Sequence, residues 1–218
     1  MLLVFLHGLG QTPQAWQDQV TALPPGVKAV APWLKGTRPA RDDQFSVAGA
    51  ADEVLRLLNQ HGVERMALVG VSLGAVVALD AAVRAPDTIS HLVLASGQIK
   101  PAAGLKMQRL AFRLMPAARL RAAGVDKPRL LQAMDQLAAI DYTHRLDAVT
   151  ARTLVLAGAE DRPGLPAARA LAAGIKNARL ELIPGAAQAP HTEAPATFNE
   201  LLYSFLAEGD EAHTVPHE

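Results

Sequence analysis

Six short apolar runs, separated by longer stretches of helical period, restrict most strongly what this chain can become. They are "LLVFL" (2–6), "VKAVA" (27–31), "RMALVG" (65–70), "HLVLAS" (91–96), "RTLVLAG" (152–158) and "RLELIP" (179–184). Most are continuous rather than alternating, the pattern of strands buried on both faces of a parallel sheet. Between them, residues 46–61 place Val47, Ala50, Ala51, Val54, Leu57 and Leu58 on one helical face. Ser46 stands as the N-cap of that helix and Gly62 as its C′ residue. Residues 73–84, 165–175 and 195–207 also read as helices. Strand–helix alternation with right-handed crossovers gives a doubly wound α/β sheet with helices on both faces. With 218 residues, half of them apolar, the chain can fill one sizeable core and is short for two. A single domain over 1–218 is expected.

The rhythm breaks once. Residues 98–150 hold no strand-like run and read as two or three helices. An insertion of that length between strands lies over a ligand crevice as a lid or packs as a side lobe. Within it, residues 100–129 carry Lys100, Lys106, Arg109, Arg113, Arg119, Arg121, Lys127 and Arg129 against the single acid Asp126, a net +7 in a chain of formal net charge zero. Lys106, Arg109 and Arg113 lie at helical spacing opposite an apolar stripe of Met107, Leu110 and Leu114. Either the stripe is buried beneath a solvated cationic face, or the cations form a rim that attracts a carboxylate, a phosphate, a coenzyme-A thioester or an anionic surface. Met107 and Phe112 could line an acyl pocket, with core packing as the alternative.

Neutral bulk charge gives no sign of nucleic-acid binding. The absence of cysteine excludes disulfides, thiolate metal sites and a cysteine nucleophile. The opening apolar stretch is too short for a signal or a membrane span, so a soluble, cytoplasmic protein is expected, with the polar segment 208–218 disordered. Nothing in the sequence sets an oligomeric state.

Three segments carry chemistry. Gly70-Val71-Ser72-Leu73-Gly74 joins an apolar strand to an Ala-rich helix. A turn that sharp needs small residues around its centre, lifts Ser72 Oγ above the sheet edge, and aims the helix N-terminus and the Leu73 N–H at whatever Ser72 attacks. "FLHGLGQTPQAW" follows the first strand, on the carboxyl side where open α/β sheets bind ligands. It is either an ordinary Gly-rich turn or a loop, with His7, Gly8 and Leu9, that turns the Leu9 N–H towards an oxyanion. Asp161 in "LVLAGAEDRPG" lies just past the fifth strand, as the orienting partner of a base or as a helix-entry cap.

Together these segments, with "IPGAAQAPHTEAPATFNELLYSFL" at the end, resemble the α/β-hydrolase family over nearly the whole chain, in the order Ser…Asp…His. The resemblance implies a mostly parallel six-stranded sheet in the order 2-1-3-4-5-6. It also implies a small acyl substrate (an ester, a thioester or a related acyl compound, an anion if the insertion's cations form a rim) with no metal or organic cofactor. Ser72 would be the nucleophile, Leu9 and Leu73 the oxyanion donors and Asp161 the orienting acid. His7, Gly8, Met107 and Phe112 are the candidates to touch the substrate.

One position departs. The family's last loop reads Gly-His-x-x-x-x-Glu-x-Pro with the His as general base. Glu193 and Pro195 keep that spacing here, and it lands on Gln188 for the His and Ala187 for the Gly. A carboxamide cannot accept a proton near neutral pH. His191, three residues on, is either a substitute base or a structural imidazole. Two functions therefore stay open: a serine hydrolase, or a hydrolase-fold protein that binds a small acyl or anionic ligand without turnover.

Overall fold

The computed structural model describes residues 1–39, 41–101, 104–122 and 124–208. The tail expected to be disordered lies, apart from Glu208, outside them. Strands β1 (Leu2–Leu6), β2 (Lys28–Val30), β3 (Met66–Val71), β4 (Ile89–Ala95), β5 (Arg152–Gly158) and β6 (Ala178–Ile183) form one parallel sheet in the order β2-β1-β3-β4-β5-β6. Both the strands and their order agree with the sequence expectation.

Each interior strand feeds two cores. Leu2, Val4 and Leu6 of β1 pack on one side of the sheet, while Leu3 and Phe5 pack on the other. Helices α1 (Gln17–Thr21), α2 (Val47–His61) and α3 (Leu73–Arg84) follow the first strands. Helices α4 (Leu105–Leu114), α5 (Ala117–Ala122) and α6 (Lys127–Leu137) make up the insertion between β4 and β5. After β5 come α7 (Leu165–Gly174), the single turn α8 (Pro190–Glu193) and α9 (Pro195–Ala207). Residues of α2, α3 and α7 fill the first core; Trp16 and Phe198, Leu202 and Phe205 of α9 fill the second. Burying one such Leu or Phe side chain contributes about 1.5–3 kcal/mol, so the continuous apolar strands bind helices to both faces.

Local signals end the helices where the sequence places them. The Ser46 hydroxyl oxygen accepts the Gly49 N–H at 3.1 Å, and Gly62 closes α2 at φ 62°. Among the described residues the insertion holds three α-helices, the upper of the expected counts.

The carboxyl edge of the sheet is set by register. Val71 of β3 lies beside Ala95 of β4, so Ser72 and Ser96 emerge as neighbours. They are the two non-glycine residues at positive φ among the described residues, at 51° and 47°. Around this turn backbone presses on backbone. A Cβ on Gly74 would stand 2.0 Å from the Leu6 carbonyl oxygen, and one on Gly70 would stand 2.3 Å from the Gly74 carbonyl oxygen. A methyl group at Gly74 must push α3 away from β1. Gly74→Ala is expected to destabilise the chain by about 3 kcal/mol or more, measured as a lower urea midpoint with an unchanged slope.

Candidate active site

Ser72 sits in the turn between β3 and α3 at φ 51° and ψ −111°, a conformation that costs an L-residue free energy and persists only where the surroundings impose it. Its N–H donates to the Ala95 carbonyl at 2.9 Å, and its own carbonyl accepts the Val76 N–H at 3.2 Å. Leu73 opens α3, so its N–H is one of the first-turn donors without an intrahelical partner, at the positive end of the helix dipole.

The loop after β1 curls beside it. The Gly8 N–H donates to Gln11 Oε1 at 2.9 Å. His7 is 1 % exposed. Its Nε2 accepts the Leu34 N–H at 3.2 Å, which leaves Nδ1–H to donate to the Gly8 carbonyl at 3.1 Å. Its ring meets Trp33 edge-on at 5.5 Å. Burial pulls its pKa down to about 4, against the opposing pull of the Gly8 bond. His7 thus ties the first loop to the segment after β2. It faces a small cavity of about 30 Å³ shared with Leu9 and Leu73, next to the main crevice rather than in it.

Asp161 follows β5 and is 5 % exposed. Its Oδ1 accepts the Gly164 N–H at 3.2 Å, and its carbonyl accepts the N–H groups of Gly164 and Leu165. These bonds close the turn ahead of α7, whose N-cap is Gly164 rather than Asp161. The loop after β6 is pinned to the same edge. The Glu160 N–H donates to the Ala186 carbonyl at 3.0 Å, and a Cβ on Gly158 would stand 2.2 Å from the Ala187 carbonyl oxygen. The Glu193 carboxylate accepts the N–H groups of Ala187 and Ala189, clamping the backbone on both sides of Gln188.

These elements enclose a crevice of about 510 Å³. Ser72, Asp161, Gln188, Gly8, Leu9 and Phe112 all line it. Neither His191 nor any other histidine among the described residues does. His191 is fully buried, with its ring 4.6 Å from that of Trp16 and 6.1 Å from that of Phe198. Gln19 Nε2 donates to its carbonyl at 3.0 Å, and neither ring nitrogen has a hydrogen-bond partner. The physical reason is local: α8 turns His191 inward to the second core, while Gln188, held by Glu193, stays at the crevice wall. The structure therefore does not bring His191 to Ser72 as a substitute base.

Met107 is also corrected. It is 76 % exposed and does not line the crevice. Arg109 Nε and Nη2 donate to the Asp135 carboxylate of α6 at 2.6 and 3.0 Å. The pair links α4 to α6 at the surface, and Leu105, Gln108 and Phe112 of α4 face the crevice. The stripe of Met107, Leu110 and Leu114 faces solvent instead of being buried. Nor do the cations form a rim inside. Arg129 Nη1 donates to the carbonyls of Gly36 and Asp43, and Lys127 Nζ to those of Arg113 and Met115.

Four polar lining residues escaped the sequence reading: Gln11, Ser96, Gln98 and Gln108. Ser96 and Gln98 follow β4 directly, so the placement rule that singled out Asp161 after β5 would have reached them too. Among the described residues no group of His, Cys, Asp or Glu is arranged to hold a metal ion, and no helix is long and apolar enough to cross a membrane.

A profile described as "Alpha/beta hydrolase family" matches residues 3–201. A protein of Variovorax paradoxus, provisionally named carbamate hydrolase RutD, is 29% identical over 238 residues, covering 92% of this chain and 89% of the relative. Its namesake in Cronobacter turicensis is 26% identical over 242 residues, covering 94% and 91%. Among solved structures, a hydrolase from Pseudomonas aeruginosa superposes with a TM-score of 0.80 at 26% identity, over 94% of this chain and 89% of that one. The enol-lactonase from Burkholderia xenovorans reaches a TM-score of 0.82 at 18% identity, over 94% and 91%, a likeness of fold.

The buried imidazole of His191 generates an acid limit. Burial holds its folded pKa at about 4, beneath the ordinary 6.5, against the opposing pull of Glu193. Between those values the unfolded chain binds a proton that the folded chain refuses. Stability is therefore complete above about pH 6.5 and falls as pH drops towards 4, by roughly 2–3 kcal/mol at pH 4.5 from this group. His191→Phe is expected to remove that share of the loss, read from urea unfolding at pH 7 and pH 4.5.

Proposed function

The chain belongs to the alpha/beta hydrolase family, and on that footing we propose that it cleaves a small ester, thioester or related acyl substrate with Ser72 as nucleophile. The observation that carries this reading is the strained turn at Ser72, φ 51° and ψ −111°, opening onto a crevice of about 510 Å³ that Asp161 also lines. In the proposed reaction Ser72 Oγ attacks the acyl carbonyl. The Leu9 and Leu73 N–H groups hold the oxyanion, and the bond from the carbonyl carbon to the substrate's leaving oxygen or sulfur breaks. The alcohol or thiol departs with a proton taken from water, and a second water hydrolyses the serine ester to free the acid and Ser72. A preorganised donor of that kind accelerates acyl transfer by about 10²–10³. The insertion would act as a lid, with Phe112 and Leu105 against the acyl chain. The provisional carbamate-hydrolase name of the relatives agrees with acyl chemistry in general.

Gln188 makes turnover slow. The Ser72 hydroxyl proton has to leave as Oγ attacks, and a carboxamide does not take it, so it passes to water. In a well-studied serine protease, removal of the triad histidine lowers turnover by on the order of 10⁶. That same observation favours a second reading, in which the crevice holds an acyl ligand without cleaving it.

The test is 4-nitrophenyl acetate and butyrate hydrolysis by the parent and by Gln188→His, each with Ser72→Ala as the blank. Restoring an imidazole at the loop clamped by Glu193 is expected to raise the Ser72-dependent rate by about 10²–10⁴, the span of a positioned general base. No gain over the Ser72→Ala blank would overturn Ser72 as nucleophile.

A further inference from the structure

The crevice is unusual in its charge. Among the described side chains that line it, Asp161 is the one ionisable group, and the polar remainder are serines and glutamines. Gln11 is committed to the Gly8 N–H at 2.9 Å. The carboxamides of Gln98, Gln108 and Gln188 carry no hydrogen bond to any described residue, and each reaches the crevice from a different element. Gln98 follows β4 at the sheet edge, Gln108 projects from α4, and Gln188 stands on the loop after β6. Phe112, Leu105 and Leu137 supply the apolar wall between them.

This lining discriminates by hydrogen-bond chemistry. A carboxamide presents two N–H donors and a carbonyl acceptor in one plane, so it pairs most completely with a group that offers both. An amide, a urea or a carbamate does. A carboxylate only accepts; it would face the glutamine carbonyl oxygens unpaired and would approach the Asp161 carboxylate with no cation to offset it. A ketone or plain ester carbonyl leaves the acceptors without a donor.

We infer that the crevice selects an uncharged ligand bearing a carboxamide-type group, bonded by Gln98 and Gln108, with its hydrocarbon part against Phe112. The inference rests on the reading of this crevice as an acyl site and narrows its substrate class. It departs from the anionic alternative of the sequence analysis, because no Lys or Arg lines the crevice among the described residues, and Arg109, Lys127 and Arg129 of the insertion are turned to Asp135, to Asp43 and to backbone carbonyls.

The experiment compares three molecules of one shape in the Ser72→Ala protein: hexanamide, hexanoate and 2-heptanone, titrated by ligand-observed NMR at pH 7.5. Hexanamide is expected to bind at least about 5-fold more tightly than either of the others, the worth of one well-made neutral hydrogen bond or more. Gln98→Leu and Gln108→Leu should each cost hexanamide about 5-fold and leave 2-heptanone within about 2-fold. Gln108→Glu, which keeps the shape and removes the donors, provides a second variant at an exposed site should a leucine perturb folding. Hexanoate binding as tightly as hexanamide, or substitutions that weaken all three ligands alike, would overturn the selection while leaving an acyl crevice in place. No saturable binding of any of the three would overturn it together with that crevice. Since Ser72 is absent from every arm, a failure of ester hydrolysis in the parent does not enter the result.

Discussion

The site depends on backbone meeting backbone where α3 crosses β1. Gly74 lies so close to the Leu6 carbonyl that a side chain has no room, and this contact lets the chain pass from β3 into α3 without an intervening loop. Ser72 is left at the turn of that passage, where it lines the crevice. Its positive φ is imposed by the Ala95 hydrogen bond on one side and by the first turn of α3 on the other. The apolar filling of both cores fixes α3 and β1 in turn, so the conformation of a single serine is supported by packing across the molecule.

Much of this is legible in the amino-acid order, for identifiable reasons. Runs such as "LLVFL" and "RTLVLAG" carry no alternation because both faces of their strands are covered, so they announce a parallel sheet. Ser46 and Gly62 mark the ends of α2 because their bonding and backbone needs are local. Gln188 and Asp161 reach the crevice as their spacing after the last strands implies. What could not be read was rotation. Three-residue offsets place a helical side chain relative to its neighbours but not relative to the rest of the molecule. The roll of α4 follows the packing of Leu105 and Phe112 against the first core, and Met107 and its stripe stay in water. The two alternatives for His191 stayed open on the same ground: proximity in sequence to Gln188 says nothing about which side of the sheet a one-turn helix faces.

Charge is arranged with similar economy. The chain concentrates cations in one insertion and then turns several of them away from the ligand space, onto carboxylates and carbonyls at the rim of the fold. A crevice with one ionised group and several uncommitted carboxamides has a weak field and many directional contacts. Orientation of a neutral molecule, rather than attraction of a charged one, is what such a surface achieves.

The packing of Trp16 has an optical consequence. Its indole is sealed from water between Phe5, Phe198 and the His191 ring, whereas Trp33 is half-buried beside His7. The blue edge of the chain's tryptophan fluorescence therefore belongs to Trp16, and its ring neighbour His191 lies in the turn directly after the loop that bears Gln188. Any loosening of that loop from the sheet edge would be seen as a red shift and a change in quenching, so the molecule carries its own dye for the segment that bears Gln188.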